Sequence, residues 1–488
     1  MVSSEVAPLA KTGGLADVSA ALVRYLSAAG HDVRLLTPCY DVVDPALIES
    51  EPVPELQDLR MDLGDESIHY AIDATPLPDR GPAVYLLRCP ALFDRGRIYT
   101  GDHDDTRRFT VLSRAAIEMC QHMGWSPHIM HCNDWHTALI PVFLKTLYQW
   151  DRLFAATRSV LAIHNIAYQG VTGTDRLEAL GLDECRHLLD ENDLAAGRVN
   201  FLRTGIRHAD LITTVSPGYA REIRTDEGGM GLAADLRARP GRVVGILNGV
   251  DYRVWDPRND PLLPIAYSAK DLSGKREGKQ RFCIEQGMNP DPDLPLAGVV
   301  SRFTWQKGID LMREVLPRFL ERGRLQLAVL GAGEEHYESF FHTIAERYRG
   351  RVFFHCGYSE VLAHRIEAAA DMFLMPSAFE PCGLNQMYSL RYGTVPIVRA
   401  TGGLADSVHP FDPDSGEGTG IVFEHFDAGG LRWALETALA LYEDRAAWRK
   451  LQRNGMREDF SWERQTARYV ALFRELLAET EPPVIPSR

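Results

Sequence analysis

The hexapeptide Thr12-Gly13-Gly14-Leu15-Ala16-Asp17 recurs, residue for residue, as Thr401-Gly402-Gly403-Leu404-Ala405-Asp406 near the other end of the chain. Two glycines in a turn are common, so a shorter repeat would be explained by coincidence. Coincidence is a poor explanation for six identical consecutive residues when each copy lies where a loop is predicted to enter a helix. We therefore expect two similar nucleotide-binding domains that present paired helix N-termini to one cleft.

Short β-branched apolar runs alternate with longer amphipathic stretches along the whole chain. Runs such as Val160–Ile163 and Leu325–Leu330 predict buried parallel strands, and stretches such as 108–123 and 310–321 predict helices. About ten such strands are too many for one compact sheet. The sequence therefore predicts an α/β protein with two Rossmann-like, doubly wound domains.

A turn tetrapeptide, Asn248-Gly249-Val250-Asp251, follows the predicted strand at 243–247 and precedes a Pro-rich loop. We place the N-terminal domain at 1–248 and the C-terminal domain at 252–458. The remaining segment, 459–488, is predicted to be mainly helical, and we expect it to pack back on the N-terminal domain.

The 488 residues are 45% hydrophobic and 25% charged, which is ordinary globular composition and excludes disorder and collagen-like repeats. The eight scattered cysteines include no Cys-x-x-Cys pair and predict reduced thiols in a cytoplasmic protein. No apolar run approaches the ~18 residues of a membrane helix. The net charge of -14 opposes binding to nucleic acid or anionic membranes, although a few placed cations can outweigh it locally.

Three charged residues follow predicted strands at the edge where open α/β sheets bind ligands. Arg302 and Lys307 follow the strand at 297–300, and two cations there suit a diphosphate, although a pair of surface charges would look the same. Glu380 follows the strand at 372–375, where an acid could also simply favour a helix N-terminus. Lys11 adds a full charge ahead of the first glycine pair.

Two other patterns do not predict a metal site or a dinucleotide site. His131 and Cys132 are adjacent on a predicted strand, so their side chains point to opposite faces, and we expect no metal site with Asp134 and His136. The Gly331-Ala332-Gly333 turn lacks the third glycine of the dinucleotide fingerprint, and we therefore reject NAD.

The octapeptide from Lys11 to Val18 resembles the signature of bacterial and plant glycogen/starch synthases. Further motifs resemble that family in its own order: Asp134-Trp135-His136, His164-Asn165, Ala167-Tyr168-Gln169-Gly170, Leu247-Asn248-Gly249-Val250-Asp251, Ser301-Arg302, Gln306-Lys307-Gly308, Phe379-Glu380-Pro381-Cys382-Gly383-Leu384 and Thr401-Gly402-Gly403-Leu404.

The resemblance implies a GT-B fold, with two facing Rossmann-like domains and the active site in the inter-domain cleft. It implies transfer of glucose from ADP-glucose to the non-reducing 4-hydroxyl of an α-1,4-glucan, such as glycogen or a maltooligosaccharide, with retention at the anomeric carbon. We expect no metal cofactor, because the cations would replace the divalent ion.

The resemblance also implies roles for individual residues. Arg302 and Lys307 would bind the donor diphosphate, Glu380 its glucose hydroxyls, and Tyr358 the adenine, although a core tyrosine is nearly as compatible with that residue type. The expected catalytic residues are Glu380, Arg302, Lys307, His164 and Asp134. The expected substrate-binding residues are Lys11, Gly13, Gly14, Trp135, Asn248, Tyr358, Cys382, Gly383, Leu384, Thr401, Gly402 and Gly403.

Two departures from the family pattern stand out. Tyr388 occupies the position of a second Glu found in many related transferases, which is usual for the synthases. Only Met1 and Val2 stand where members have a complete apolar strand, so either the start is assigned too late or the N-terminal sheet is weakened. Several alternatives stay open. The first two concern the class of protein: a UDP-glucose-using GT-B transferase and a non-catalytic nucleotide- or sugar-binding protein. The others are a double displacement through Glu380 or Asp134 and any oligomeric state.

Overall fold

The computed structural model describes residues 1–44, 48–78 and 81–479. Two compact units form: Met1–Val215, Ala220–Ile246 and Trp462–Arg488 make the first, and Ser216–Tyr219 with Leu247–Ser461 make the second. The chain passes into the second unit at Leu247, a few residues before the predicted start at 252. The C-terminal segment joins the first unit from Trp462, and its residues 480–488 lie outside the described residues.

Strands and helices build the first unit. Its strands are β1 Leu35–Pro38, β2 Glu51–Pro52, β3 Leu59–Leu63, β4 Glu66–Pro76, β5 Ala83–Arg88, β6 Ile129–Asn133, β7 Arg158–Ile163, β8 Val171–Gly173, β9 Arg198–Asn200, β10 Leu211–Thr214 and β11 Val243–Gly245. Its helices are α1 Gly14–Ala28, α2 Pro90–Phe93, α3 Asp105–His122, α4 Ile140–Leu144, α5 Glu191–Ala195, α6 Phe201–His208, the linking α7 Pro217–Glu222, and α8 Ala233–Arg237.

The second unit continues the alternation. Its strands are β12 Leu296–Val300, β13 Gln326–Gly331, β14 Val352–Cys356, β15 Met372–Met375, β16 Val395–Arg399 and β17 Ile421–Phe423. Its helices are α9 Ser273–Glu285, α10 Ile309–Glu321, α11 Glu335–Arg347, α12 Glu360–Ala369, α13 Asn385–Tyr392, α14 Gly402–Ser407, α15 Ala428–Glu443 and α16 Arg445–Arg457. The last helix, α17 Trp462–Ala478, belongs to the first unit.

The N-terminal residues lie inside the sheet of the first unit. Parallel strands run in the order β11-β10-β7-β6, and β1 pairs in parallel with β5. Val2 joins these two groups through parallel bridges to Cys132 of β6 and Leu36 of β1. Its N–H donates to the carbonyl of His131 at 2.9 Å. Met1 and Val2 thus occupy the central position that the family resemblance assigns to a first strand.

The sequence prediction missed the antiparallel part of this sheet. β5 is parallel to β1 but antiparallel to β4, which also pairs with β2 and β3. In β3, Leu59, Met61 and Leu63 are buried while Arg60 and Asp62 are exposed. This period of two marks a half-buried strand, but a search for continuous β-branched runs passes over it.

The sheet of the second unit is parallel throughout, in the order β14-β13-β12-β15-β16-β17. In β13, Leu327 and Val329 pack into one apolar cluster with α10, α11 and α15. The intervening Ala328 and Leu330 pack into another with α9 and α12. Alternate residues of one strand therefore bury opposite faces, which explains the continuous apolar run and confirms the doubly wound prediction.

The α17 helix covers the first unit. Its Trp462 and Tyr469 pack in one cluster with Leu22 of α1, and its Leu476 packs with Val160 and Leu211 of the sheet. Among the described residues, no helix combines the length and hydrophobicity that crossing a bilayer requires.

Burial of His131 makes the stability of the fold depend on pH. Its ring lies 6.1 Å from the rings of Tyr469 and Phe473, and both ring nitrogens lack a described partner. Burial, aided by the nearby N-terminal ammonium, lowers its pKa to about 3. The unfolded chain binds a proton near pH 6.5 that the folded chain rejects, so stability falls as the pH drops from about 6.5 towards 3.

We expect His131→Phe to make this fall shallower by up to about 1.4 kcal/mol per pH unit below about pH 6.5, because the titrating group is gone. Unfolding of the variant and the wild type, followed at about pH 7.5 and about pH 5, measures this. His31→Phe, at an exposed position, is the control and should leave the dependence unchanged. Equal pH dependences for His131→Phe and the wild type would contradict the assignment.

Candidate active site

A buried carboxylate holds the first glycine loop. Glu5 is 3% exposed, and its oxygens accept the N–H of Thr12 at 2.5 Å, the hydroxyl of Thr12 at 2.7 Å and the N–H of Gly13 at 3.2 Å. Tyr99 donates to the same carboxylate at 2.6 Å. The amides of Thr12 and Gly13, just ahead of α1, are therefore already bound within the protein. Glu5 was not predicted from the sequence, because its role is a set of hydrogen bonds to residues seven and eight positions further on.

The surroundings of Gly13 leave space. Its φ of -161° is extended backbone that any residue adopts, and a Cβ atom there would meet nothing within 4 Å. The Lys11 ammonium lies 2.8 Å from Asp17 Oδ1 in a half-exposed ion pair. The fold therefore does not require a glycine at position 13, and the open space beside it can admit a ligand.

Asp134 connects the ends of two neighbouring strands. It follows β6 with φ of +54°, a left-handed conformation that costs a non-glycine residue of order 1–3 kcal/mol. Its Oδ1 accepts the N–H of His164, which follows β7, at 2.7 Å. Burial raises the pKa of Asp134 to about 7. Strain at a residue that fixes the neighbouring loop is typical of a functional site.

The orientation of His164 follows from a chain of hydrogen bonds. The Asn133 amide donates through Nδ2 to the carbonyl of Val2 at 2.8 Å, so its Oδ1 is an acceptor. His164 Nε2 lies 2.9 Å from that Oδ1 and is therefore the protonated nitrogen. Burial lowers the pKa of His164 to about 4, so the ring is neutral and its Nδ1 is a hydrogen-bond acceptor. Asn133 was not among the residues predicted from the sequence.

Trp135 lines a cavity of about 510 Å³ in the first unit, together with loop residues such as Asp102, Thr106 and Arg176. The indole is held by Gly170, at φ of +62°, where a Cβ atom would lie 2.1 Å from a Trp135 ring carbon. This contact explains the glycine of the Ala167-Tyr168-Gln169-Gly170 motif. The cavity has the size of a small-molecule site.

In the second unit, two predicted residues form an ion pair. Lys307 Nζ lies 2.6 Å from Glu380 Oε2, and the side chains are 20% and 7% exposed. Ser377 donates to the same oxygen at 3.1 Å. The two loops that carry the pair are joined by Gln306, which donates to the carbonyl of Phe379 at 3.1 Å. The sequence placed both side chains at one sheet edge but did not predict their direct contact.

Arg302 and Tyr358 lie at the same edge, after β12 and β14. Arg302 is exposed and makes no hydrogen bond or ion pair with the residues that the structure describes. Tyr358 is 67% exposed, so the alternative of a core tyrosine is wrong. An unneutralised guanidinium and an exposed aromatic ring suit a phosphate and a base, respectively.

The second glycine pair is a packing device. A Cβ atom at Gly403 would lie 2.2 Å from the carbonyl oxygen of Cys382, and the Gly403 N–H donates to the carbonyl of Glu380 at 3.0 Å. Gln386, buried and missed by sequence reasoning, donates to the carbonyls of Cys382 and Gly383 and to Ser407. The loops before α13 and α14 therefore form one unit that positions Glu380.

The remaining predicted residues have clear surroundings. Gly402 (φ +43°) begins α14 after the buried Thr401, and Leu384 precedes α13. The Cys382 sulfur accepts a backbone hydrogen bond from Asn248, and burial raises the thiol pKa to about 12, so Cys382 is not a reactive thiol. Asn248 Oδ1 is buried without a partner among the described residues.

Two patterns serve packing. A Cβ atom would lie about 2 Å from the Ser301 carbonyl at Gly331 and from the Phe303 carbonyl at Gly333. These glycines therefore let the segment after β12 pack closely against the turn. His136 stacks on Tyr99, whereas His131 faces α17. Within the described ranges, no group of three or more His, Cys, Asp or Glu residues could hold a metal ion.

Known proteins resemble this chain over nearly its full length. The starch synthase catalytic domain family model matches residues 1–238, and the glycosyl transferases group 1 model matches residues 283–455. A glycogen synthase of Anaeromyxobacter sp. (strain Fw109-5) is 44% identical, covering 98% of this chain and 99% of the relative. That of Koribacter versatilis is 43% identical, covering 97% of each.

Solved structures agree with these relatives. The catalytic domain of Starch Synthase IV from Arabidopsis thaliana, bound to ADP and acarbose, is 35% identical with a TM-score of 0.90 and 98% of each chain covered. A sucrose-phosphate synthase from Thermosynechococcus elongatus, 18% identical with a TM-score of 0.62, shares the fold. Two α/β domains, each with a set of parallel strands, and this set of loops define a GT-B glycosyltransferase. The chain belongs to the glycogen synthase family.

Alanine substitutions distinguish the two glycine pairs. We expect Gly403→Ala to lower the free energy of unfolding by about 1–3 kcal/mol, because the new methyl group overlaps the Cys382 carbonyl. Gly13→Ala should change it by less than about 1 kcal/mol, because the position is open and extended. Denaturant unfolding of both variants measures the difference, and equal losses would show that the two pairs have the same structural role.

Proposed function

We propose that the protein transfers glucose from ADP-glucose to the non-reducing 4-hydroxyl of an α-1,4-glucan, with retention and without a metal ion. The Lys307–Glu380 ion pair beside Arg302 carries this proposal. It combines cations for a diphosphate with a carboxylate for sugar hydroxyls at one sheet edge. Family membership supplies the glucan class.

The cations act on the leaving group. When the bond between the sugar and the phosphate breaks, negative charge collects on the departing diphosphate. Arg302 is free to engage it as a two-pronged donor, and Lys307 turns to it from Glu380. One preorganised donor of this kind typically contributes about 10²–10³ in rate. These cations supply the charge stabilisation that a divalent metal gives other phosphate-transfer enzymes.

Glu380 then binds the donor glucose rather than attacking it. Its carboxylate is held by Ser377 and is released from Lys307 as the diphosphate enters, so it accepts hydrogen bonds from sugar hydroxyls. Asp134 is turned towards the His164 amide, whose hydrogen bond occupies its Oδ1. This arrangement supports same-face substitution, in which the leaving phosphate deprotonates the acceptor hydroxyl.

The first unit also carries groups that suit a sugar. His164 offers its neutral Nδ1 to a sugar hydroxyl. The cavity beside Trp135 provides an aromatic surface and polar loop residues for the glucan end. The plant neighbour was solved with ADP and acarbose, a nucleotide and an oligosaccharide, which supports the same pair of ligand classes here.

Tyr358 provides a stacking surface for the base. Stacking of a base on an aromatic side chain contributes about 1–3 kcal/mol and does not depend strongly on which base is stacked. The ring therefore supports a nucleotide donor, and the choice of adenine rests on the ADP-bound neighbour.

We expect Arg302→Gln to lower the rate of glucose incorporation into glycogen from ADP-glucose by about 10²–10³. The loss should persist with EDTA, and the wild type should be fully active with EDTA present. Arg322→Gln is the matched control, because Arg322 is also exposed and follows the C-terminal end of α10, a helix about 20 Å long that begins after the Lys307 loop.

The same assay run with UDP-glucose tests the donor. A preference for ADP-glucose supports the proposal, whereas activity with UDP-glucose alone would replace the donor and keep the fold. Loss of wild-type activity in EDTA would overturn metal independence. Absence of activity with either donor would favour a non-catalytic binding protein.

Mass spectrometry tests the mechanism. We expect wild-type enzyme quenched during turnover to carry no covalent glucosyl group, and Glu380→Gln to be slow without accumulating one, because the carboxylate binds hydroxyls. A glucosyl adduct on Glu380 or Asp134 would establish a double displacement instead.

A further inference from the structure

A second polar cavity of the first unit, about 450 Å³ in volume, lies at the opposite edge of the sheet from Asp134 and His164. Arg158 begins β7 there, and Arg242 directly precedes β11. Because β7 has six residues that each rise about 3.3 Å, the cavity lies about 20 Å from His164. The two sites therefore do not overlap.

Cations dominate the lining. We call this site the basic pocket, and its cations are Lys145, Arg158, Arg207, Arg239 and Arg242. Its acids are Asp210 and Glu479. A local excess of positive charge in a chain with a net charge of -14 is not explained by composition.

Several of these groups are committed to the fold. Arg207 lies 2.6 Å from both Asp190 and Asp235. Arg239 donates to carbonyls at the end of α6, including that of Ile206 at 2.7 Å. Asp210 accepts the N–H and the hydroxyl of Ser159, each at 2.8 Å, so its charge is directed at the sheet. Carboxylates outside the lining therefore neutralise Arg207, and the positive charge of the basic pocket rests on Lys145, Arg158 and Arg242.

The other cations keep donors available. Among the described residues, the Arg158 side chain has a single partner, the carbonyl of Thr157 at 3.2 Å. Lys145 donates to the His208 carbonyl and lies 3.4 Å from Asp210. Arg242 pairs with Glu479 at 2.7 Å, but the side chains are 38% and 51% exposed, and such exposed pairs are weak.

The cations also affect one another. Burial lowers the pKa of Arg239; Asp210 opposes this shift, whereas the neighbouring Arg242 adds to it. Burial likewise lowers the pKa of His208, with Lys145, Arg207 and Arg239 adding to the effect. A bound anion would relieve this repulsion.

We propose that the basic pocket binds a small phosphorylated metabolite, with its phosphate among Lys145, Arg158 and Arg242. A phosphate monoester carries close to two negative charges at neutral pH and matches the forked donors of arginine. The cavity volume falls within the range of about 300–1,000 Å³ for small-molecule sites, so a sugar-sized body fits beside the phosphate. The polar lining suits a hydroxylated group such as a sugar.

Calorimetric titration of the full chain with inorganic phosphate and with ribose 5-phosphate tests this proposal, with saturating ADP present to occupy the proposed donor site. We expect both probes to bind the wild type, and Arg158→Gln and Arg242→Gln to weaken binding about tenfold each. Arg60→Gln is the control, because Arg60 is 61% exposed on the same unit, and it should bind like the wild type.

Glu479→Gln gives a test in the opposite direction. Removing this carboxylate releases Arg242, so we expect binding about threefold tighter, a gain that a purely structural role would not produce. Tighter binding of ribose 5-phosphate than of inorganic phosphate would show that the sugar also contacts the pocket, and equal binding would assign the site to phosphate alone. Absence of binding to the wild type, or equal affinities for the wild type and both arginine variants, would overturn the proposal.

Discussion

Parallel strands bring their carboxyl ends to one edge of a sheet, and this constraint places the candidate active-site residues. β12 and β15 are neighbours in the second sheet, although their residues are far apart in sequence. The loops that follow them therefore meet, and Lys307 reaches Glu380 at 2.6 Å. In the first unit, the neighbours β6 and β7 bring Asp134 and His164 together in the same way.

Buried polar side chains fix the loops at these edges. Glu5 binds the amides of the first glycine loop, and Asn133 links the N-terminal residues to His164. Gln386 and Arg399 hold carbonyls of the loops around Glu380. Because unsatisfied buried polar groups are costly, each of these side chains restricts its loop to a narrow set of conformations. The reactive groups are thus positioned before any ligand arrives.

The sequence predicted the doubly wound class and the residues at the sheet edges, because continuous apolar runs and the charges that follow them are local signals. It did not predict which of those charges meet, since the Lys307–Glu380 contact depends on strand order. The repeated hexapeptide looked uniform, yet Gly13 borders open space while Gly403 packs against Cys382. Glu5, Asn133 and Gln386 escaped notice because their roles are hydrogen bonds to distant backbone. The antiparallel β3 and β4 were missed because their period of two was not sought.

The ion pair between Lys307 and Glu380 makes the site selective. A bare anion that drew the ammonium away would leave a carboxylate of 7% exposure without its partner, and breaking a buried pair in this way costs about 3–5 kcal/mol. A sugar alone would have to compete with the ammonium for the same oxygen. A ligand that carries a phosphate and hydroxyl groups together compensates both partners at once. The ion pair therefore favours the intact sugar nucleotide over either of its halves.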